Sequence, residues 1–206
     1  MCSFPWASCR YVRSVYRSVD MKVYRSVSSD VRPHSLGVTT VPIAPLLRSN
    51  APPAPSLRFT LMSFIGAVIT IGVTGWLSYI SGVPWLMASF GASCVLAFGV
   101  PESPLAQPRS IIGGHVVSTL VGLLVLGTLG NSWWAGALAV GLALAAMQQT
   151  RTLHAPAGAN PLVVLAASAP VSFLVTPVLT GSIVIVAVAW CLNNIRSRGS
   201  YPKYWV

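Results

Sequence analysis

The sequence predicts an all-α fold, a polytopic bundle of transmembrane helices, and three observations carry that reading. Only Glu102, Arg109 and Arg151, out of thirteen basic and three acidic residues, fall between Phe59 and Ile195. Charged residues make up 8% of the chain, where a soluble domain has about a quarter. The apolar residues, 54% of the chain with the aromatics and cysteines, run in continuous blocks rather than the stripes of a surface helix.

Each block is delimited by punctuation. Phe59 to Ile80 is long enough to cross about 30 Å of hydrocarbon. Gly82 to Val100 follows and is closed by the breaker Pro101-Glu-Ser-Pro-Leu-Ala-Gln-Pro-Arg109. Ile111 to Gly130 ends at Asn131-Ser-Trp-Trp134, whose paired tryptophans suit the membrane interface. Ser132 to Thr150 is a fourth run. Pro161 to Pro170 is too short to span by itself, but it gains length when extended back to Leu153. Val171 to Ile195 closes the series against Arg196, Arg198 and Lys203.

Charge placement chooses among four, five and six crossings. With six, Glu102, Arg109 and Arg151 share the inner side, and the outer connections near Ser81, Asn131 and Pro170 carry no lysine or arginine. That asymmetry is what the positive-inside rule requires, with both ends of the block inside. Five crossings would separate the basic flanks; four requires re-entrant second and fifth segments. Residues 1–57 are a different material: basic, serine-rich, with Tyr-Arg-Ser-Val at 16–19 and 24–27 and a proline-rich end. They read as a disordered extension, either a transit peptide or an overextended start, ahead of a transmembrane domain over 58–206. The net charge of +10 arises mostly from the flanks of the block, so lipid rather than nucleic acid is the expected partner.

Leu86-Met-Ala-Ser-Phe-Gly-Ala92 and Leu153-His-Ala-Pro-Ala-Gly-Ala159 share the pattern L-x-A-x-x-G-A, and a polar residue follows each, Ser93 and Asn160. The chain therefore reads as two three-segment halves, 59–130 and 132–195. An odd number of crossings per half makes this a 3+3 inverted repeat, with broken or re-entrant second and fifth segments. Gly and Pro in the motifs break each helix, and restarted helices aim unpaired backbone N–H groups inward. The expected anion-binding or pore residues are His154, Pro156, Gly158 and Asn160 from one motif and Gly91 and Ser93 from the other, with backbone amides at Gly158 to Asn160 and Gly91 to Ser93 as ligands. Asn160 is also a candidate cap for the restarted helix.

Arg109 and Arg151 are expected to draw an anion to the inner mouth, and His115 or His154 to gate it by titrating. Glu102 is expected to pair with Arg109 or to titrate in a proton-coupled cycle. The spacing of His, Cys, Asp and Glu gives no metal site, no cofactor motif appears, and no nucleophile signature marks an enzyme. Cys2, Cys9, Cys94 and Cys191 are scattered and read as inert thiols.

The segment His154-Ala-Pro-Ala-Gly-Ala-Asn-Pro161 occurs with Pro104-Leu-Ala-Gln-Pro-Arg-Ser-Ile-Ile-Gly-Gly-His115 upstream and with Asn193-Asn194 leading to Tyr201-Pro-Lys-Tyr-Trp205. This combination resembles the HPP family of integral membrane proteins, roughly over 58–206. The family's His-Pro-Pro signature reads His154-Ala155-Pro156 here, which leaves the helix break to Pro156, Gly158 and Pro161. The resemblance implies four transmembrane helices, and for photosynthetic members nitrite transport, in plants across the chloroplast envelope. The Gly-Ala-Asn-Pro form and the C-terminal motif look more like bacterial or cyanobacterial members, so an inner membrane there is the first expected location and the chloroplast envelope the alternative.

The functional expectation is a transporter of a small inorganic anion, nitrite first. The alternative is a non-transporting scaffold or sensor that binds a partner or lipid through its basic tail. A homo-oligomer is compatible with either.

Overall fold

The computed structural model describes residues 53–205; the features read in residues 1–52, including Cys2, Cys9 and the Tyr-Arg-Ser-Val repeats, lie outside them. Helix α1 (Leu57–Ser81) starts where the Ser56 hydroxyl accepts the Phe59 N–H and stops at Gly82, whose φ of 68° is the left-handed conformation glycine adopts without strain. One face buries Gly66, Thr70 and Thr74, four residues apart in turn. Each threonine satisfies its hydroxyl on a carbonyl of the preceding turn, Gly66 O at 2.8 Å and Thr70 O at 3.1 Å, so the face packs closely without orphaned polar atoms. The opposite face exposes Phe64, Val68 and Trp76, as lipid contact demands.

The second segment is broken. Residues 83–87 run extended along the end of α1, where the Ser78 hydroxyl donates to Val83 O at 3.0 Å and accepts the Trp85 N–H at 2.7 Å. Helix α2 (Ala88–Cys94) follows and continues as a wider π-helical turn over Val95–Gly99. The turn ends beside the start of α1, because the Ser63 hydroxyl donates to Phe98 O at 2.7 Å. The chain turns at Val83–Trp85 around the Ser78 hydroxyl, and the helical piece of about 18 Å carries the segment from there to beside Ser63 near the other end of α1.

Helix α3 (Pro108–Leu129) begins with Pro108, whose missing N–H costs nothing in the first turn, and ends at Gly130. Helix α4 (Trp133–Gln149) returns antiparallel to it from a Ser132 cap. Its C-terminal end is tied to the start of α3 by Arg109 Nη2, which donates to Thr150 O at 3.0 Å. The fifth segment is also broken: a limb over 151–154, a 3₁₀ turn at Ala155–Ala159, then helix α5 (Asn160–Ala167). It leaves beside Met147, whose carbonyl accepts the Thr152 N–H, and reaches Gly136 near the far end of α4, where Leu162 and Leu165 pack. It too runs the length of the bundle.

The sixth segment starts with a 3₁₀ turn at Val171–Leu174, is interrupted at Thr176, whose φ of −129° and ψ of 115° are not helical, and resumes into α6 (Thr180–Arg196). Near its end Asn193 Nδ2 donates to Ala97 O at 3.0 Å, and the Arg196 guanidinium lies 4.1 Å from the centre of the Phe59 ring. The described chain thus makes six passes. Glu102, Arg109, Arg151 and Arg196 gather at the end where α1 begins and α6 finishes.

The second and fifth segments are broken, as expected, and carry the shorter apolar helices Ala88–Gly99 and Ala155–Ala167. Three helical stretches, Leu57–Ser81, Pro108–Leu129 and Val171–Arg196, are long and apolar enough to cross a membrane as helices. Helix α4, with 17 residues, spans about 25 Å. No strand occurs among the described residues.

Candidate functional site

His154 is fixed from two sides. Its limb lies against α3 where Gly113 and Gly114 leave no room for a side chain. A Cβ at Gly113 would fall 2.6 Å from Thr152 Cγ2; one at Gly114 would fall 2.6 Å from His154 Cβ and 2.7 Å from the Thr152 carbonyl. The glycine pair therefore sets how deeply the limb sinks into the bundle. On the other side His154 Nδ1 meets Leu105 O at 2.7 Å. A carbonyl only accepts, so Nδ1 carries the proton and Nε2 is left as an acceptor.

Four side chains from three segments close around that point, all fully buried. Ser93 Oγ, from α2, lies 2.8 Å from His154 Nε2 and 2.9 Å from His115 Nε2 of α3. Asn160, at the first position of α5, places Nδ2 3.0 Å from His115 Nδ1, 3.0 Å from Thr119 Oγ1 and 3.3 Å from the His115 carbonyl. That carbonyl identifies the atom facing it as the amide nitrogen.

The directions of the hydrogen bonds then follow one from another. Asn160 donates to His115 Nδ1, so the His115 proton is on Nε2 and points to Ser93. Ser93 accepts it and shares its single hydroxyl proton between His154 Nε2 at 2.8 Å and the Ser89 carbonyl of its own helix at 2.9 Å, and His154 donates from Nδ1 to Leu105 O. The result is an uncharged, one-way chain of four hydrogen bonds through the bundle. Phe90 closes it with its ring edge-on to His115 at 5.2 Å, and the two imidazole centres are 5.0 Å apart.

Among the described residues two buried side-chain atoms are left without a partner, Asn160 Oδ1 and Ser89 Oγ. Such atoms cost about 1–3 kcal/mol each, so their presence beside a satisfied network marks where something else binds or where stability is given up.

The two sequence motifs do meet, through Ser93 and His154, although not as expected. The amides from Gly91 to Ser93 lie inside α2, and those after His154 are consumed locally: Ala157 N–H bonds His154 O, and Asn160 N–H bonds Ala157 O. The expected amide cradle is therefore absent at these positions, because the 3₁₀ turn leads into α5 without interrupting the bonding. Asn160 does not cap; it follows Ala159 with helical geometry and spends its amide on the histidine.

Pro156 is buried in the 3₁₀ turn, while Gly158 and Gly91 are half-buried with open space at the Cβ position. Glu102 pairs with Lys203 at 3.2 Å and not with Arg109, which is occupied by Thr150 O. Arg151 is exposed and holds a left-handed φ of 56° at the head of the limb. Among the described residues no group of three His, Cys, Asp or Glu stands close enough to hold a metal.

Several supporting residues escaped sequence reasoning. Gln107 is fully buried and braces the 100–107 loop: Nε2 donates to the carbonyls of Pro101 and Ser103, both at 2.9 Å, and Oε1 accepts the Lys203 N–H at 2.8 Å. Tyr201 buries its ring and donates its hydroxyl to Ala106 O at 2.8 Å. Burial also pushes its phenol up from the usual tyrosine value of 10.0. The C-terminal motif thus clamps the loop whose Leu105 carbonyl orients His154. The signal available was the motif itself, polar and aromatic residues in an otherwise charge-terminated tail.

A family profile described as the HPP transmembrane region matches residues 52–202. Two proteins of Dictyostelium discoideum, each named only as a transmembrane protein, are 35% identical to the chain. One is aligned over 170 residues, 77% of this chain and 60% of the relative, the other over 153 residues, 70% and 49%. The chain spans about half to three fifths of the length of these relatives. No solved structure matches it. With the profile covering nearly all of the described passes, the chain belongs to the HPP family of transmembrane proteins.

Proposed function

We propose that the protein is a membrane transporter of a small inorganic anion, nitrite first, and not an enzyme. The observation that carries this reading is the cluster of Ser93, His115, His154 and Asn160, fully buried where the two broken segments meet. Polar side chains in the middle of an apolar bundle are costly, and in membrane proteins they mark the path of a solute. Broken helices facing each other from opposite ends are the arrangement that lets two halves rock about a central site, and each half carries one broken segment between two others. In this reading the halves act as inverted repeats.

Nitrite is favoured by the family likeness and by the small scale of the cluster. Arg109 and Arg151 supply the attracting field at the inner mouth. The membrane is a bacterial or cyanobacterial inner membrane first, the chloroplast envelope second. Uptake of isotopic nitrite by liposomes that contain the purified protein tests the proposal; uptake no faster than by protein-free liposomes at every imposed pH gradient rejects it.

A further inference from the structure

Resting on the transport reading above, we propose that the permeant occupies the site as the neutral conjugate acid of a weak-acid anion. Movement is then electroneutral, one proton with each anion. The substrate class narrows to monovalent anions of weak acids, such as nitrite and formate, and excludes nitrate and chloride.

Two independent features point there. The first is the absence of positive charge at the cluster among the described residues. Arg109 and Arg151 stand at the inner surface, and Glu102 is paired with Lys203 in the loop and tail. Cys94, beside Ser93, faces Thr70 of α1, and Tyr201 from the tail is spent on Ala106 O. α4 and α5 carry no titratable residue, and α6 carries only the exposed Cys191 and Arg196 at its end. His115 and His154 are the titratable groups that face the site, and the one-way chain gives each of them a single ring proton, already directed at an acceptor. The helix starts add nothing, because the amides beside His154 and Asn160 bond within their own turn. A bare anion would find no cation, and only the lone unpartnered hydroxyl of Ser89 among the described residues as a donor.

The second feature is the unpartnered atom itself. Asn160 Oδ1 is a pure acceptor, fully buried, with its nitrogen fixed on the other side by the His115 carbonyl. An acceptor of this kind repels an anion and welcomes an O–H. A protonated weak acid offers one, and Ser89 Oγ, the other unpartnered atom, is free to donate to an acceptor. The proton comes from water at one face, travels bound to the anion, and returns to water at the other, so no charge stays on the protein. An electrostatic drive is replaced by a chemical match.

The test uses the unmodified full chain in proteoliposomes, with leak into protein-free liposomes subtracted. Exchange of isotopic for unlabelled nitrite at equal pH reports transport by itself. Accumulation is then driven either by a pH gradient at zero potential or by a potassium diffusion potential at equal pH. The expected result is tenfold accumulation per pH unit, no response to a potential of about 60 mV, which would drive tenfold accumulation of a lone charge, and exchange of formate but not nitrate. Exchange that follows the potential, or nitrate exchanging as fast as nitrite, overturns the inference and leaves the transport reading standing. No exchange of nitrite at all takes down both.

Discussion

Ser93 and Ser89 lie one turn apart on α2, both buried, and truncating them to alanine has opposite predicted effects. Ser93→Ala removes the atom that accepts from His115 Nε2 and donates to His154 Nε2. Both ring nitrogens are then left in the bundle without a partner, at about 1–3 kcal/mol each. The space vacated is that of one oxygen atom, too little to admit a replacement water. The expected loss is about 2–4 kcal/mol.

Ser89→Ala removes a hydroxyl that has no partner to lose, so it is neutral or stabilising by up to about 1 kcal/mol. The carbonyl of Ser89, which also accepts from Ser93 Oγ at 2.9 Å, belongs to the backbone and is present in either variant. Equilibrium unfolding of the two variants in the same detergent, followed by circular dichroism, measures the difference. If Ser93→Ala unfolds within about 0.5 kcal/mol of the native protein, or if Ser89→Ala is the more damaged of the two, the directed chain of hydrogen bonds is wrong.

Gly114→Ala drives a methyl into His154 and the Thr152 backbone, and a rigid carbonyl does not yield, so a loss of about 1–3 kcal/mol accompanied by loss of nitrite flux is expected in unfolding and uptake assays. Arg151→Gly relieves a left-handed φ worth about 1–2 kcal/mol but adds backbone entropy worth about 0.5–1 kcal/mol to the unfolded chain, leaving stability nearly unchanged. A higher KM for nitrite in that variant then reports the lost field at the inner mouth, and an unchanged KM reduces Arg151 to a topology determinant.

Tyr201 has its folded phenol raised by burial, so its contribution is fully present below pH 10.0 and is lost as pH climbs toward the folded value. Ultraviolet titration of native protein against Tyr201→Phe is expected to show one tyrosine ionising late, together with release of the tail. Lys203→Ala is expected to cost no more than about 1 kcal/mol in the same unfolding assay, because its partner Glu102 is largely exposed.

The extent to which the sequence foretold the structure followed the range of the interactions. Long uniform helices such as α1 and α3 were readable because the bilayer fixes both their length and their composition. The break at Arg151 to Ala155 adjoins the motif whose Gly and Pro predicted it, whereas in the second segment Gly91 stays inside α2 and the chain breaks earlier, at Gly82 to Met87; the meeting of the two motifs was readable from their shared pattern. Their depth was not, since it depends on Gly113 and Gly114 fitting against Thr152 and His154, a contact between distant segments. The role of Asn160 was misjudged for a related reason. Capping is a local habit of asparagine, whereas its partner His115 is 45 residues away in the chain. Glu102 was assigned to Arg109 because both lie in one loop, but the tail folds back and brings Lys203 closer.

The central claim is that the buried cluster of Ser93, His115, His154 and Asn160 carries the solute. Nitrite uptake by proteoliposomes, compared among the native protein, Ser93→Ala and Leu124→Ala, tests it most directly, because Leu124 lies on the exposed, lipid-facing side of α3. The account predicts uptake well above protein-free liposomes for the native chain and for Leu124→Ala, with at least a tenfold loss for Ser93→Ala reconstituted in equal folded amount. Uptake by folded Ser93→Ala at the native rate, or native uptake equal to that of empty liposomes, contradicts it.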